Sequence, residues 1–182
     1  MTQNSTGRRT AAGGVLGAAT VAMGLIAGVF YIFACAVMPA VARSDDRVYV
    51  EVVQNVNDVI QNPVFMLSLG ALLLTAVSAW QLRTTSGPRG WVWAALAAYA
   101  LAFLVTVAAN IPLNNALARA ADPVTARESF EDQWVAWNVV RTLLSTAALA
   151  CLARALILYG GLQRRAGTLS RPAFEDEAVS GR

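Results

Sequence analysis

The chain has 182 residues, 57% of them apolar and 14% charged, with a positive mean hydropathy, whereas a soluble domain carries about 25% charged residues. That composition excludes a water-soluble globular domain of this size and points to an integral membrane protein, with the lipid bilayer as its first partner. The net charge of +3 comes from basic residues at segment ends, which excludes a nucleic-acid surface, and the absence of histidine excludes imidazole acid–base chemistry, haem ligation and His-based metal sites.

Residues 1–10, MTQNSTGRRT, are polar and read as disordered. The first span, residues 11–38, is rich in glycine and alanine. Gly24 and Gly28 form a small-xxx-small pair that lets helices approach closely. Arg8 and Arg9 before an apolar run, with Ala34-Cys35-Ala36 later, have the outline of a signal peptide. The run is nearly twice the ~7–15 residues of a signal core, so it is read as a retained helix. Tyr31, Cys35 and Met38 share a face until Pro39 ends or kinks that helix.

From Ser44 to Asn62 the chain is polar but helical in period. Val48, Val52, Val56 and Val59 make an apolar stripe, and Asn55, Asp58 and Asn62 line another face. This predicts a short interfacial helix, or a lead into the second span, residues 63–82, which Asn62 and Pro63 open as N-cap and first helical residue. The turn TTSGPRG then makes an antiparallel hairpin with the third span, residues 91–110, whose Trp91 and Trp93 suit an interfacial belt. Tyr99, Phe103, Thr106 and Asn110 lie on one face of it and carry that face from aromatic to polar.

NIPLNNALA, Asn110 to Ala118, puts three amides and a proline where a membrane helix should stop. After a break at Asp122-Pro123, Thr125 and Glu128 have the spacing of a capping box. The fourth span, residues 135–159, follows, and Trp134, Trp137, Asn138, Arg141 and Ser145 share one face of its entry. Residues 161–182 read as a disordered tail. The predicted fold is therefore all-α: an integral membrane four-helix bundle, up-down-up-down. Arg8, Arg9, Arg83, Arg89, Arg164 and Arg165 flank one side with no acid immediately beside them, which predicts a multi-pass protein of the cell membrane with both termini cytoplasmic. The two cysteines, near opposite ends of their spans, are not expected to pair.

Alternation of the spans brings Asn55, Asn57, Asp58 and Asn62 before the second span, Asn110 and Asn114 at the end of the third, and Asn138 and Arg141 at the start of the fourth to the outer end together. Arg141 lies about 10 Å deeper than Trp134 at 1.5 Å per residue. An arginine at such a depth must be paired or hydrated, and no span contains an acid to pair it. Its partner is expected to be Asp58, Glu131, Asp132, a set of Asn carbonyls, or a bound electron-rich ligand. The cluster is then either a structural clamp or a ligand pocket. Transport is disfavoured, because no acid relay and no inverted repeat is present.

At YIFACAVMPA, NVNDVIQNPVF, VTVAANIPLNNALA and WVAWNVVRTL the chain resembles the anthrone oxygenase-like small integral membrane proteins, a family catalogued as a domain of unknown function with mostly bacterial members. The resemblance implies a four-helix membrane fold and, for its fungal relatives, oxidation of polyketide anthrones by molecular oxygen with no metal, flavin or other cofactor. By motif position it points to Asn57, Asn110, Pro112, Asn114, Trp134, Trp137, Asn138 and Arg141. Losing its acidic ring proton turns an anthrone into an enolate that can react with oxygen directly. Arg141, Asn138 and Asn110 would hold the oxyanion, and Asp58 is the available base. Trp134 and Trp137 would stack on a flat hydrophobic or aromatic small molecule, with Asn57, Asn114, Tyr31 and Tyr99 as further contacts. The alternative is a non-catalytic membrane protein that binds a small molecule or partner, homo-oligomers included.

Overall fold

The computed structural model describes the backbone of residues 2–169, and all regular structure among them is helical. Helix α1, Thr2–Ile32, runs through a π-turn, Phe33–Val37, into α2, Met38–Val41. Helix α3 is Asp46–Gln81 and α4 is Pro88–Val105. A second π-turn, Thr106–Asn110, leads into α5, Ile111–Ala118, and α6 spans Pro123–Leu169. Four helical stretches are long and apolar enough to cross a bilayer, 10–41, 46–81, 88–118 and 123–166, so the chain has the make-up of a multi-pass membrane protein. Their neighbours form a ring, α1 beside α3, α3 beside α4, α4 beside α6 and α6 beside α1. That is the expected up-down-up-down bundle.

Several boundaries differ from expectation. Helix α1 begins at Thr2, ahead of the expected start of the first span at residue 11. Residues 161–169 likewise prolong α6, while the rest of the tail, 170–182, lies outside the described residues. No separate interfacial helix stands between the first two spans. Asp45 caps α3 by accepting from the Val48 amide at 3.0 Å, and the helix then passes unbroken through Pro63. The cap of α6 is Asp122, not Thr125. Its carboxylate accepts from the Thr125 amide at 3.0 Å and the Thr125 hydroxyl at 2.5 Å, and these bonds, the hydroxyl's first, hold the Asp122 carboxyl below its usual range. Pro123 takes the first helical position, where no amide donor is needed.

Helices in lipid have little hydrophobic drive to associate, so close packing must hold them together. Leu16, Met23, Ile26, Val92, Tyr99 and Leu152 are fully buried between the helices. Leu25, Leu73, Leu101, Leu143 and Ile157 face outward, as lipid contact requires. A Cβ added at Gly24 would meet Leu149 at 3.7 Å, so this glycine packs against α6, whereas one at Gly28 would meet nothing. Hydroxyls in the core are satisfied within their own helices: Thr75, Ser78 and Thr142 each donate to the carbonyl four residues back, at 2.7–2.8 Å. Both cysteines are free; Cys35 is exposed.

A second cluster caps the other end of the core. Tyr49, Val53, Leu117, Phe130 and Trp134 pack there, and Arg127 clamps them. It donates to Glu131 at 2.7 Å, Asp46 at 3.0 Å and the carbonyls of Ser44 and Ala42 at 2.9 and 2.8 Å, with its guanidinium 4.5 Å above the Tyr49 ring. Gln54 donates to the Leu117 carbonyl at 2.8 Å, tying α3 to the end of α5, where that carbonyl also accepts from the Ala120 amide at 3.2 Å.

Candidate functional site

Both π-turns end two residues before a proline, Pro39 in one case and Pro112 in the other. Proline has no amide hydrogen and its ring crowds the carbonyl four residues back, here Cys35 and Ala108, each inside a π-turn. Widening the helix relieves that clash. The Met38 amide reaches back to the Phe33 carbonyl and the Ile111 amide to the Thr106 carbonyl, five residues each. The helix therefore continues past Pro112 instead of stopping there, as NIPLNN suggested. Widened turns of this kind are frequent at functional sites. These two place Phe33 on one side, and Thr106 and Asn110 on another, of a shared cavity.

That cavity encloses about 60 Å³ and is partly open. Every spanning stretch contributes a wall. Phe30 and Phe33 come from the first, Asn57, Gln61, Phe65 and Ser68 from α3, Thr106, Asn110 and Asn114 from the third, and Trp134, Asn138 and Arg141 from α6. Most of its lining is apolar and its polar groups are few, which is the usual make-up of a small-molecule site.

Arg141 is the deepest charge, only 6% exposed. One terminal nitrogen donates to the Asn138 side-chain oxygen at 2.8 Å, and the Asn138 amide donates in turn to the Phe30 carbonyl at 3.1 Å. Its guanidinium lies 4.2 Å from the Phe30 ring centre and 5.6 Å from that of Trp134. Among the described residues no acid pairs with it. Glu131, one of the partners expected from the sequence, is taken by Arg127. Burial of an arginine at the centre of a membrane helix costs about 2.5–3.5 kcal/mol even by the mildest scale, and two aromatic rings and one amide oxygen are the contacts that offset it here.

Four buried polar atoms around the cavity have no hydrogen-bond partner: the Ser68 hydroxyl, both side-chain atoms of Asn110, and Nε of Arg141. Asn110 is 1% exposed and Ser68 2%. Such atoms are rare in folded proteins because each is expensive to desolvate, and here all three of their residues line one cavity.

Of the other residues singled out by sequence, Asn114 accepts from the Trp134 indole at 2.8 Å and, with Asn57, lines the cavity. Tyr99 is buried below it. Its hydroxyl donates to the Ser68 carbonyl at 3.3 Å and so props the wall from behind. Tyr31 is 60% exposed and Trp137 42%, and neither lines the cavity. At about 100° per residue, Phe30 takes the inward position that Tyr31 was given, and Trp137 falls at the edge of the face formed by Trp134, Asn138, Arg141 and Ser145. Asp58 is exposed and lies outside the cavity. It belongs to a neighbouring bay of about 180 Å³ lined by Gln54, Asn57, Gln61, Asn62, Asn114 and Asn115, which shares Asn57, Gln61 and Asn114 with the cavity. Of the α3 residues expected at the outer end, Asn57 lines the cavity, together with Gln61 and Ser68 at i+4 and i+11, which the sequence did not single out, while Asn55, Asp58 and Asn62 do not line it. Among the described residues no three His, Cys, Asp or Glu side chains are grouped to hold a metal ion.

A family model described as anthrone oxygenase matches residues 55–151, more than half of the chain, and covers the amides, Trp134 and Arg141 but not the first helix. No curated protein and no solved structure matches.

Proposed function

Since the chain belongs to the anthrone oxygenase family, we propose that its cavity binds the oxygen-bearing edge of an aromatic polyketide-like substrate and promotes oxidation by O2 without a bound cofactor. One observation carries this reading: a buried guanidinium without a counter-ion, beside an amide whose donor and acceptor are both unused. Donors already fixed where negative charge develops are the largest single source of catalysis in reactions through an enolate.

An anthrone ring CH2 loses a proton, and the electron pair spreads onto the ketone oxygen. The carbanion carbon passes an electron to O2 and recombines with the resulting superoxide. Protonation gives a hydroperoxide, which loses water to leave a second ketone. One O2 is consumed; one of its oxygens enters the quinone and the other leaves as water. Arg141 and Asn110 hold the oxyanion, Asn138 orients Arg141, and Phe30 and Trp134 flank the ring. A drug-sized ligand takes a pocket of about 300 Å³ or more, so only one edge of a tricyclic substrate enters the enclosed 60 Å³ and the other rings rest in the open mouth. The charge flanks of the spans favour a place in the cell membrane with both termini cytoplasmic and the cavity toward the outer end.

A structural clamp is the competing reading, favoured by the link from Arg141 through Asn138 to the Phe30 carbonyl. A clamp should use its hydrogen bonds, however, and four atoms of this cluster use none. Purified protein incubated with an anthrone in air and under anaerobic conditions decides the matter. Oxygen-dependent anthraquinone formation above the buffer rate is expected, reduced about 10²–10³-fold in Arg141→Ala, the scale of losing an oxyanion donor. No rate above buffer, or full activity in the variant, would reject the proposal.

A further inference from the structure

The reaction just described begins with loss of a proton, yet the cavity contains no group to take it. Among its lining residues Arg141 is the only one that bears charge. From the first spanning stretch the cavity receives Phe30 and Phe33, from α3 amides and the Ser68 hydroxyl, and from the third spanning stretch Thr106, Asn110 and Asn114. The nearby phenol, Tyr99, donates to the Ser68 carbonyl. The carboxylate closest in the sequence of walls, Asp58, stands in the outer bay.

We infer that the cavity binds its ligand as an oxyanion and thereby ionises it without a protein base, so that its substrates are aromatic enols and hydroxyarenes acidic enough to give up the O–H proton. This rests on the reading above for the kind of ring system and extends it to the form in which the ring is held. A buried cation with no counter-ion is costly, and an anionic ligand removes that cost while a neutral ligand does not. Two further observations point to an oxygen atom as the bound group. The Asn110 amide nitrogen and Arg141 Nε, both unpartnered, are hydrogen-bond donors. When the ligand ionises, its O–H bond breaks, the electron pair stays on oxygen, and the proton leaves to bulk buffer through the amide-lined bay that shares Asn57, Gln61 and Asn114 with the cavity. An anthrone meets this requirement through its enol tautomer.

The test needs no turnover. 2-Hydroxyanthraquinone changes colour on ionisation and has no ring CH2 to oxidise. It is titrated by absorbance in the presence of the full-length protein in nanodiscs, with empty nanodiscs and the non-ionisable 2-methoxyanthraquinone as controls. An opposite charge within about 4–6 Å lowers an acid's pKa by about 1–3 units, so the bound probe is expected to ionise at least about one unit below the free probe, and the methoxy analogue to bind at least tenfold more weakly. Arg141→Gln should abolish the shift. Asn110→Asp should do the same by placing a carboxylate in the cavity, which covers the case in which Arg141→Gln fails to fold. Asp58→Asn should leave the bound spectrum as it is. Binding of the neutral form, equal affinity for the methoxy analogue, a shift that persists in the Arg141 and Asn110 variants, loss of the shift in Asp58→Asn, or no binding of the probe would each overturn the inference. Anthrone oxidation with a neutrally bound probe would sink this inference alone, and an ionised probe without oxidation would sink only the oxygenase reading.

Discussion

A buried polar group left without a partner costs about 1–3 kcal/mol, and Asn110 leaves both its amide atoms in that condition. Replacing it with leucine, which has a similar shape and no polar atoms, separates the two readings of the cluster. For a ligand site, Asn110→Leu should raise the thermal midpoint of the protein, equivalent to about 1–2 kcal/mol, while anthrone oxidation and probe binding fall at least about tenfold, the worth of one hydrogen bond to a charged ligand. For a clamp, the midpoint should fall instead. Scanning calorimetry or fluorescence-detected melting on the detergent-solubilised protein distinguishes them. Arg141 differs from the exposed Arg154 in the same way. Arg141→Ala removes the stack on Phe30 and leaves the Asn138 oxygen without its donor, whereas Arg154→Ala removes a side chain that can reach the membrane surface. Equal yield and stability of the two variants would contradict this account of Arg141.

At the scale of the elements, the two widened turns are the feature that places the site. Pro112→Ala restores an amide hydrogen to a position that has none and offers the Ala108 carbonyl a donor. The turn 106–110 is then expected to relax toward regular helix and swing Asn110 off the inward face. Probe binding should weaken severalfold with little change in melting temperature, and hydrogen exchange should report new protection at residue 112. Unchanged binding would show that the π-turn is not needed. Such turns were not legible in the sequence. Pro39, Pro63 and Pro112 all read there as ends, starts or kinks, since proline costs about 3 kcal/mol in a helix interior, but all three lie within continuous spans. The spans themselves were legible, because runs of some 20 residues without charge have few other fates in a chain this apolar. Of the residues that alternation of the spans brings to one end, Asn57, Asn110, Asn114, Asn138 and Arg141 line the cavity, whereas Asn55, Asp58 and Asn62 do not. Phe30, Phe33 and Ser68 were missed because an apolar or small hydroxyl side chain inside a span looks like all its neighbours. Tyr31 and Trp137 were misplaced by a fraction of a helical turn.

The molecule as a whole is fastened at one end by Arg127, which ties the 42–46 connection to α6 through the Asp46 carboxylate and two carbonyls, while Glu131 on α6 itself braces its guanidinium. Hydrogen bonds that involve a charged group contribute about 1.5–3 kcal/mol when well ordered. Arg127→Ala is therefore expected to cost about 2 kcal/mol or more, and hydrogen exchange should rise in residues 42–50 before it rises at the cavity. Uniform exchange throughout would mean that the clamp is not local. Because α6 is a single helix from Pro123 to Leu169, clamp and cavity are locked in phase. Arg127 and Arg141 are 14 residues apart in the sequence, about 21 Å along a rod that turns some 100° per residue, which brings both guanidinium groups within about 40° of the same side. One residue inserted between them would rotate one against the other by over a quarter turn, while four would nearly restore their alignment, so the angular relation of the fastening to the binding chamber is a matter of counting residues.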